Sequence, residues 1–277
     1  MLKSLLVAMD ETPGSEAARR VAFALARETG ACLAGFGNLD VAALTAPAAV
    51  PLGGMHFKAR GDVQRIREVD AHRERARAQF LSEASAAGIR ATTLLTSGDA
   101  TGELMAAAAA HDAIVLGLDA DFSDAPSAGL ARTVDRLVKN NPRPVILTPC
   151  GAETVSRALI AFDGSVPAAR ALQLFVLLGL PAVAPVHVTT IARDLQTATD
   201  LADAAGKYFA LHGHEAHLRP VVSGDDPAEV LLSEMRTVGA DLLVMGAYGH
   251  RGWREALLGS CTTRLLARSP ASLFVYH

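Results

Sequence analysis

Apolar and polar positions along this chain fall into blocks that recur. In the C-terminal half, runs with apolar residues on both faces predict strands near 158–162, 183–188, 217–222, 241–245 and 273–276. Between them, apolar residues return at helical spacing, which predicts helices near 167–179, 196–212, 227–238 and 260–268. Strands apolar on both faces and joined by helices belong to a parallel sheet covered on both sides. The start of the third helix is clearly written: Asp226 stands at the N-cap, Pro227 at the first helical position and Glu229 at the third, a capping-box arrangement.

The same blocks occur earlier in the chain. Leu5-Leu6-Val7-Ala8-Met9-Asp10 matches Leu159-Ile160-Ala161-Phe162-Asp163, each a buried-looking strand ending in Asp. Ser97-Gly98-Asp99 matches Ser223-Gly224-Asp225, and Ile114-Val115-Leu116-Gly117 matches Leu243-Val244-Met245-Gly246. Val145-Ile146-Leu147 matches Leu273-Phe274-Val275. Such repetition divides the chain into two α/β domains, 1–150 and 155–277, joined by a short linker. Asp10 and Asp163 lie 153 positions apart, whereas Gly98 and Gly224 lie 126 apart, so the first half carries 27 extra residues, largely within 40–75. Residues 42–55, rich in Ala and Pro, read as a loop, and 58–80 as an amphipathic helix with a mixed-charge face.

The candidate chemistry sits at 242–260. The apolar run Leu242-Leu243-Val244-Met245 stops at Gly246, Gly249 follows, and nine residues later come Gly259-Ser260 at a predicted helix start. Glycines let a backbone approach a ligand closely, and the free N–H groups and dipole of a helix start attract an anion. In a doubly wound sheet, ligands bind beyond the carboxyl ends of the strands, where strand order reverses. With the order 3-2-1-4-5 that reversal lies between the first and fourth strands, so Asp163 and Gly246 face one crevice. Asp163 has two compatible readings, a water-mediated Mg²⁺ ligand and a carboxylate capping the N–H groups of Gly164 and Ser165. Among the basic loop residues His250, Arg251 and Arg254, Arg251 is the candidate for direct phosphate contact, while Trp253 reads as loop packing.

Composition narrows the classes. Net charge is −3, which argues against general nucleic-acid binding. The three cysteines, Cys32, Cys150 and Cys261, form neither a metal cluster nor a disulfide framework, as expected for a reducing compartment such as the cytoplasm. The longest apolar stretch, 174–186, is interrupted by Gly179, Pro181 and Pro185 and is too short to span a bilayer. His212, His214 and His217 read as a polar turn before a strand rather than a zinc site, which needs three or four converging ligands. No Gly-x4-Gly-Lys-[Ser/Thr] loop or Gly-x-Ser-x-Gly elbow occurs, and Gly35-x-Gly37 lacks the third glycine of a dinucleotide fingerprint.

These residues resemble the universal stress protein family, UspA-like, in its tandem two-domain form. Gly246-x2-Gly249-x9-Gly259-Ser260 matches the motif of its nucleotide-binding members, and the resemblance covers nearly all of 1–277. It implies two doubly wound domains, each a five-stranded parallel sheet of order 3-2-1-4-5 with helices on both faces. It also implies ATP in the C-terminal crevice, where the Mg²⁺ reading of Asp163 would accompany it. Ala161 and Asp163 would then lie near adenine and ribose, and Val188, ending the second strand, would line the adenine pocket. Met245, Gly246 and Gly249 would pass under ribose and phosphates, and Gly259, Ser260, Cys261 and Thr262 would donate to the phosphates. Resemblance to family dimers implies that 144–149 and 272–276 meet, and leaves a homodimer of the whole chain and an unknown protein partner open. The role implied is a stress-response sensor or interaction module; the alternatives are a slow ATP hydrolase and a module for a non-nucleotide ligand. The first half departs from the motif. Gly117 remains, but Ala131 and Arg132 replace Gly259 and Ser260, and Asp119, Asp121 and Asp124 add negative charge where phosphate would lie. It is expected to bind ATP poorly.

Overall fold

The computed structural model describes residues 1–10, 12–46, 55–119, 129–182, 185–247 and 260–277. In the first half these form β1 (Ser4–Ala8), α1 (Pro13–Thr29), β2 (Cys32–Leu39), α2 (Val41–Leu44), α3 (Met55–Ala86), β3 (Ala91–Ser97), α4 (Ala100–Ala108), β4 (Ala113–Gly117), α5 (Gly129–Asn140) and β5 (Val145–Thr148). The second half repeats the plan with β6 (Ala158–Ala161), α6 (Val166–Leu177), β7 (Val186–Ala192), α7 (Leu195–Leu211), β8 (His217–Val222), α8 (Pro227–Val238), β9 (Leu242–Gly246), α9 (Ser260–Arg268) and β10 (Ser272–Tyr276). No helix among the described residues is long and apolar enough to cross a membrane.

All ten strands join one sheet, in the order β3-β2-β1-β4-β5-β10-β9-β6-β7-β8. Each half is parallel and has the order 3-2-1-4-5 in its own numbering. The seam is antiparallel, pairing Leu147 with Leu273, Ile146 with Phe274 and Val145 with Val275. Segments 144–149 and 272–276 therefore do meet, and each covers the other's open edge. An antiparallel seam turns the halves head to tail, so their strand-end crevices open at opposite ends of the sheet. It also explains the short linker. The carboxyl end of β5 and the amino end of β6 lie on the same rim, about 14 Å apart across two intervening strands. Residues 149–157 span that gap readily.

Alternation along the strands sends side chains to two apolar layers that run through both halves. One holds Phe23, Phe80, Phe175, Phe209 and Phe274 beneath α1, α3, α6 and α7. The other holds Leu104, Leu137, Leu231 and Leu265 beneath α4, α5, α8 and α9. A carboxylate pins the start of each half in the same way. Asp112 accepts the N–H groups of Lys3 (2.7 Å) and Ser4 (3.0 Å), and Asp241 accepts those of Ser156 (2.8 Å) and Arg157 (2.9 Å).

Three expectations are corrected. The second strand of the C-terminal half runs to Ala192 rather than ending at Val188. Its two central threonines are buried and pair with β8, and the Thr190 hydroxyl donates to the Ala198 carbonyl at 2.6 Å, so the strand continues through them. The helix near 58–80 is far longer, 32 residues against 17 in its counterpart α7, and its start together with α2 takes up part of the stretch read as loop. The cap of α8 is formed by Asp226, which accepts the Ala228 N–H at 3.1 Å, but Glu229 does not close a capping box; it pairs with Arg268 of α9.

Candidate functional site

The crevice of the second half is built on the end of β6. Ala161 pairs with Thr189, the Phe162 N–H donates to the Thr189 carbonyl at 3.0 Å, and Asp163 follows. Gly164 then takes φ 75°, which turns the chain into α6. One Asp163 oxygen, Oδ1, accepts the Ser165 N–H at 2.9 Å, and the Ser165 hydroxyl accepts the Ala168 N–H at 3.3 Å as the helix cap. The expected capping role is thus realised through Ser165. The second oxygen of Asp163 takes no hydrogen bond from the described residues.

The facing wall is the end of β9 and the first turn of α9. Met245 is buried, Ser260 is exposed and Thr262 is buried. Ala161, Ile191, Met245, Ala247 and Cys261 all belong to the apolar layer on the α8–α9 side. Burial pushes the Cys261 thiol up to about 11, and the nearby Asp163 charge pushes it the same way. That interaction joins the two separately recognised segments: the strand-end carboxylate stands beside the helix whose first N–H groups lack intrahelical partners. Gly249, Arg251 and Gly259, with His250, Trp253 and Arg254, lie outside the described residues.

Val188 does not join this site. It pairs with Ile160, is fully buried, and belongs to the apolar layer on the opposite face of the sheet. The residue of β7 level with Asp163 is Ile191, two positions beyond the Ala161–Thr189 pair. The sequence reading missed Ile191; the signal was an apolar pattern resuming after two threonines.

Gly246 has a role the motif does not reveal. A Cβ built there would lie 2.4 Å from the Ala168 nitrogen and 2.4 Å from the Pro167 carbonyl carbon, both backbone atoms of the first turn of α6. In the first half, a Cβ on Gly117 would lie 2.4 Å from the Gly14 carbonyl carbon and 2.6 Å from the Ser15 nitrogen, in the first turn of α1. The glycine kept in both halves is therefore the one that lets a helix start press on a strand end.

The rim of the first half carries its own anion. Asp119 Oδ2 accepts the Gly14 N–H at 2.9 Å and Oδ1 lies 2.9 Å from the Thr12 hydroxyl, which is 2.6 Å from Asp10 Oδ1. A carboxylate thus occupies the start of α1. Asp121 and Asp124 lie outside the described residues, as do the side chains of Ala131 and Arg132. Two of the three clustered histidines, His212 and His217, go to ring contacts. His212 packs on Tyr208 with centroids 4.6 Å apart, and His217 stacks on His187 at 4.9 Å. Among the described residues no group of three or more His, Cys, Asp or Glu side chains is placed to hold a metal ion.

Comparison with known proteins places this geometry. Residues 154–277 match the model of the universal stress protein family. Universal stress protein Slr1230 of Synechocystis sp. is 27% identical over 168 residues, 60% of this chain and 58% of that protein. The match therefore spans less than two thirds of that relative's length. A universal stress protein from Archaeoglobus fulgidus DSM 4304 superposes with a TM-score of 0.73 at 18% identity, covering 99% of this chain and 95% of that one. A functionally unknown protein, PA1789, from Pseudomonas aeruginosa PAO1 gives 0.58 at 19% identity, covering 99% and 92%. At these identities the structural likenesses speak for the fold.

Proposed function

We propose that this UspA-like chain, a member of the universal stress protein family through residues 154–277, binds ATP in its C-terminal crevice and acts as a nucleotide-dependent sensor or interaction module. The reading divides the chain at 1–150 and 155–277 and gives the first half no triphosphate. One observation carries it: Gly246-x2-Gly249-x9-Gly259-Ser260 begins at the end of β9, where Gly246 lies against the first turn of α6 just beyond Asp163, and ends at the start of α9.

The residues suit the ligand. N–H groups at the start of α9 and the Ser260 hydroxyl offer donors to phosphate oxygens, in the favourable field of a helix N-terminus. The uncommitted Asp163 oxygen suits Mg²⁺, which keeps several waters and is held by one or two carboxylates together with phosphates. Ala161, Ile191 and Met245 offer an apolar strip for a base. Gly249, Arg251 and Gly259 enter through the motif alone, as loop glycines and a phosphate-screening cation. The first half lacks the motif, and Asp119 already holds the N–H group at its helix start.

Calorimetry with Mg²⁺–ATP tests the reading on the full chain and on Gly259→Asp, which adds bulk and negative charge at the phosphate position. Wild type should bind one ATP per chain, and the variant should bind at least about tenfold more weakly, a difference of about 1.4 kcal/mol. Equal affinity in the two proteins removes the assignment.

A further inference from the structure

The long helix of the first half creates a second, chemically different cavity. Counterpart helix α7 spans the sheet in 17 residues, whereas α3 has 32. In a right-handed crossover the helix starts at the carboxyl rim of the strands, so the extra turns of α3 stand above the crevice of the first half. The helix settles closely on β2 because a Cβ on Gly37 would come within 3.2 Å of both Arg73 and Leu95. Between α3 and the ends of β1 and β2 lies a cavity of about 370 Å³. That is the lower end of the roughly 300–1,000 Å³ seen for small-molecule sites.

The lining shows which polar groups remain available. Its donor side chains, Arg73 and Asn38, are each tied to a neighbour, with Arg73 Nε buried and unpartnered. Arg73 Nη1 donates to the Thr96 carbonyl (2.9 Å) and Nη2 to Asp70 (2.5 Å), which neutralises the guanidinium. The Asn38 amide donates to the Gly98 carbonyl (2.8 Å) and accepts the Thr96 hydroxyl (2.8 Å). Acceptors are left over. Asp10 uses Oδ1 for the N–H and hydroxyl of Thr12, and Glu68 uses Oε1 for Gln64, while the second oxygen of each takes no hydrogen bond from the described residues. Met9, Val69 and Ala76 supply an apolar wall, and His72 completes the rim. The Asp119 carboxylate beside Asp10 further disfavours an anion here.

We infer that this cavity binds a small organic cation, an alkylamine with a short apolar body, held between Asp10 and Glu68 with its carbon chain on Met9, Val69 and Ala76. The inference does not depend on nucleotide binding, because the antiparallel seam puts the two crevices at opposite ends of the sheet.

Calorimetry on the full chain at about 0.15 M salt, where exposed charges are largely screened, tests it with two probes of equal length and opposite charge, 1,5-diaminopentane and glutarate. The diamine should bind at one per chain and glutarate should not bind. Glu68→Gln, on an exposed helix position, should weaken diamine binding at least tenfold. Glu74→Gln, a control acid on the same helix that pairs with Arg77 outside the cavity, should leave it unchanged. Saturating ATP should not alter the diamine affinity. No diamine binding, equal binding of glutarate, or a diamine affinity untouched by Glu68→Gln would each overturn the proposal.

Discussion

Replacing Gly246 by alanine separates two roles for one residue. If that glycine serves the ligand, its loss weakens ATP binding and leaves folding intact. The structure assigns it to the fold. The added Cβ would sit 2.4 Å from two backbone atoms of α6 and 2.7 Å from the Pro167 carbonyl oxygen, and a helix backbone cannot rotate aside as a side chain can. Either α6 slides along the sheet or β9 bends, and overpacking of this kind costs about 1–3 kcal/mol. Alanine regains about 0.4–1 kcal/mol by restricting the unfolded chain, so the net loss should be about 1–2 kcal/mol. With a urea m-value of about 3 kcal/mol/M, the midpoint should fall by roughly 0.3–0.7 M, read by circular dichroism. Gly117→Ala, which meets the backbone of α1 at 2.4 Å, should lose a similar amount although its half lacks the nucleotide motif. Gly224→Ala, with nothing within 4 Å of the new Cβ, serves as the control and should stay within about 0.5 kcal/mol of wild type. A Gly246→Ala protein that unfolds like wild type but has lost ATP would refute the packing argument.

Two further outcomes follow from titrating groups. The Cys261 thiol stands at about 11 through burial and the Asp163 charge, so Asp163→Ala should bring it down, and iodoacetamide should label Cys261 at a lower pH than in wild type; an unchanged labelling profile would separate the carboxylate from α9. His187 titrates below its ordinary 6.5, first through burial and then through His217, Arg219 and Arg157. The unfolded chain then binds a proton more readily than the folded one, so this contribution is complete above pH 6.5 and is lost as pH falls through the lower folded value. His187→Gln should flatten the decline of the urea midpoint between pH 7.5 and 5, and a slope equal to that of wild type would remove the histidine pair from the acid response.

Much of the architecture is legible in the chain because it rests on short-range rules. Apolar runs bounded by turn residues place the strands, the Asp226-Pro227 pair places the start of α8, and the repeated strand endings at Asp10 and Asp163 announce two similar halves. The likeness of Gly246 to Gly117 is also written there, but its packing role is not: only the packed structure shows that each glycine faces a helix start. The end of β7 escaped because Thr189 and Thr190 look like a turn in one dimension, whereas in three both pair with β8 and the Thr190 hydroxyl finds the Ala198 carbonyl.

By itself, then, the sequence determined the alternation of strands and helices, their repetition, and the glycine spacing that ends on α9, since each depends on residues near one another along the chain. Tertiary structure decided the rest. Pairing of β5 with β10 made one sheet of two halves and turned their crevices apart, because strand edges find partners by shape and hydrogen bonding over distances no local pattern encodes. Packing also brought Asp163 beside Cys261 and laid α3 over Asp10, joining charges and cavities that lie far apart in the chain.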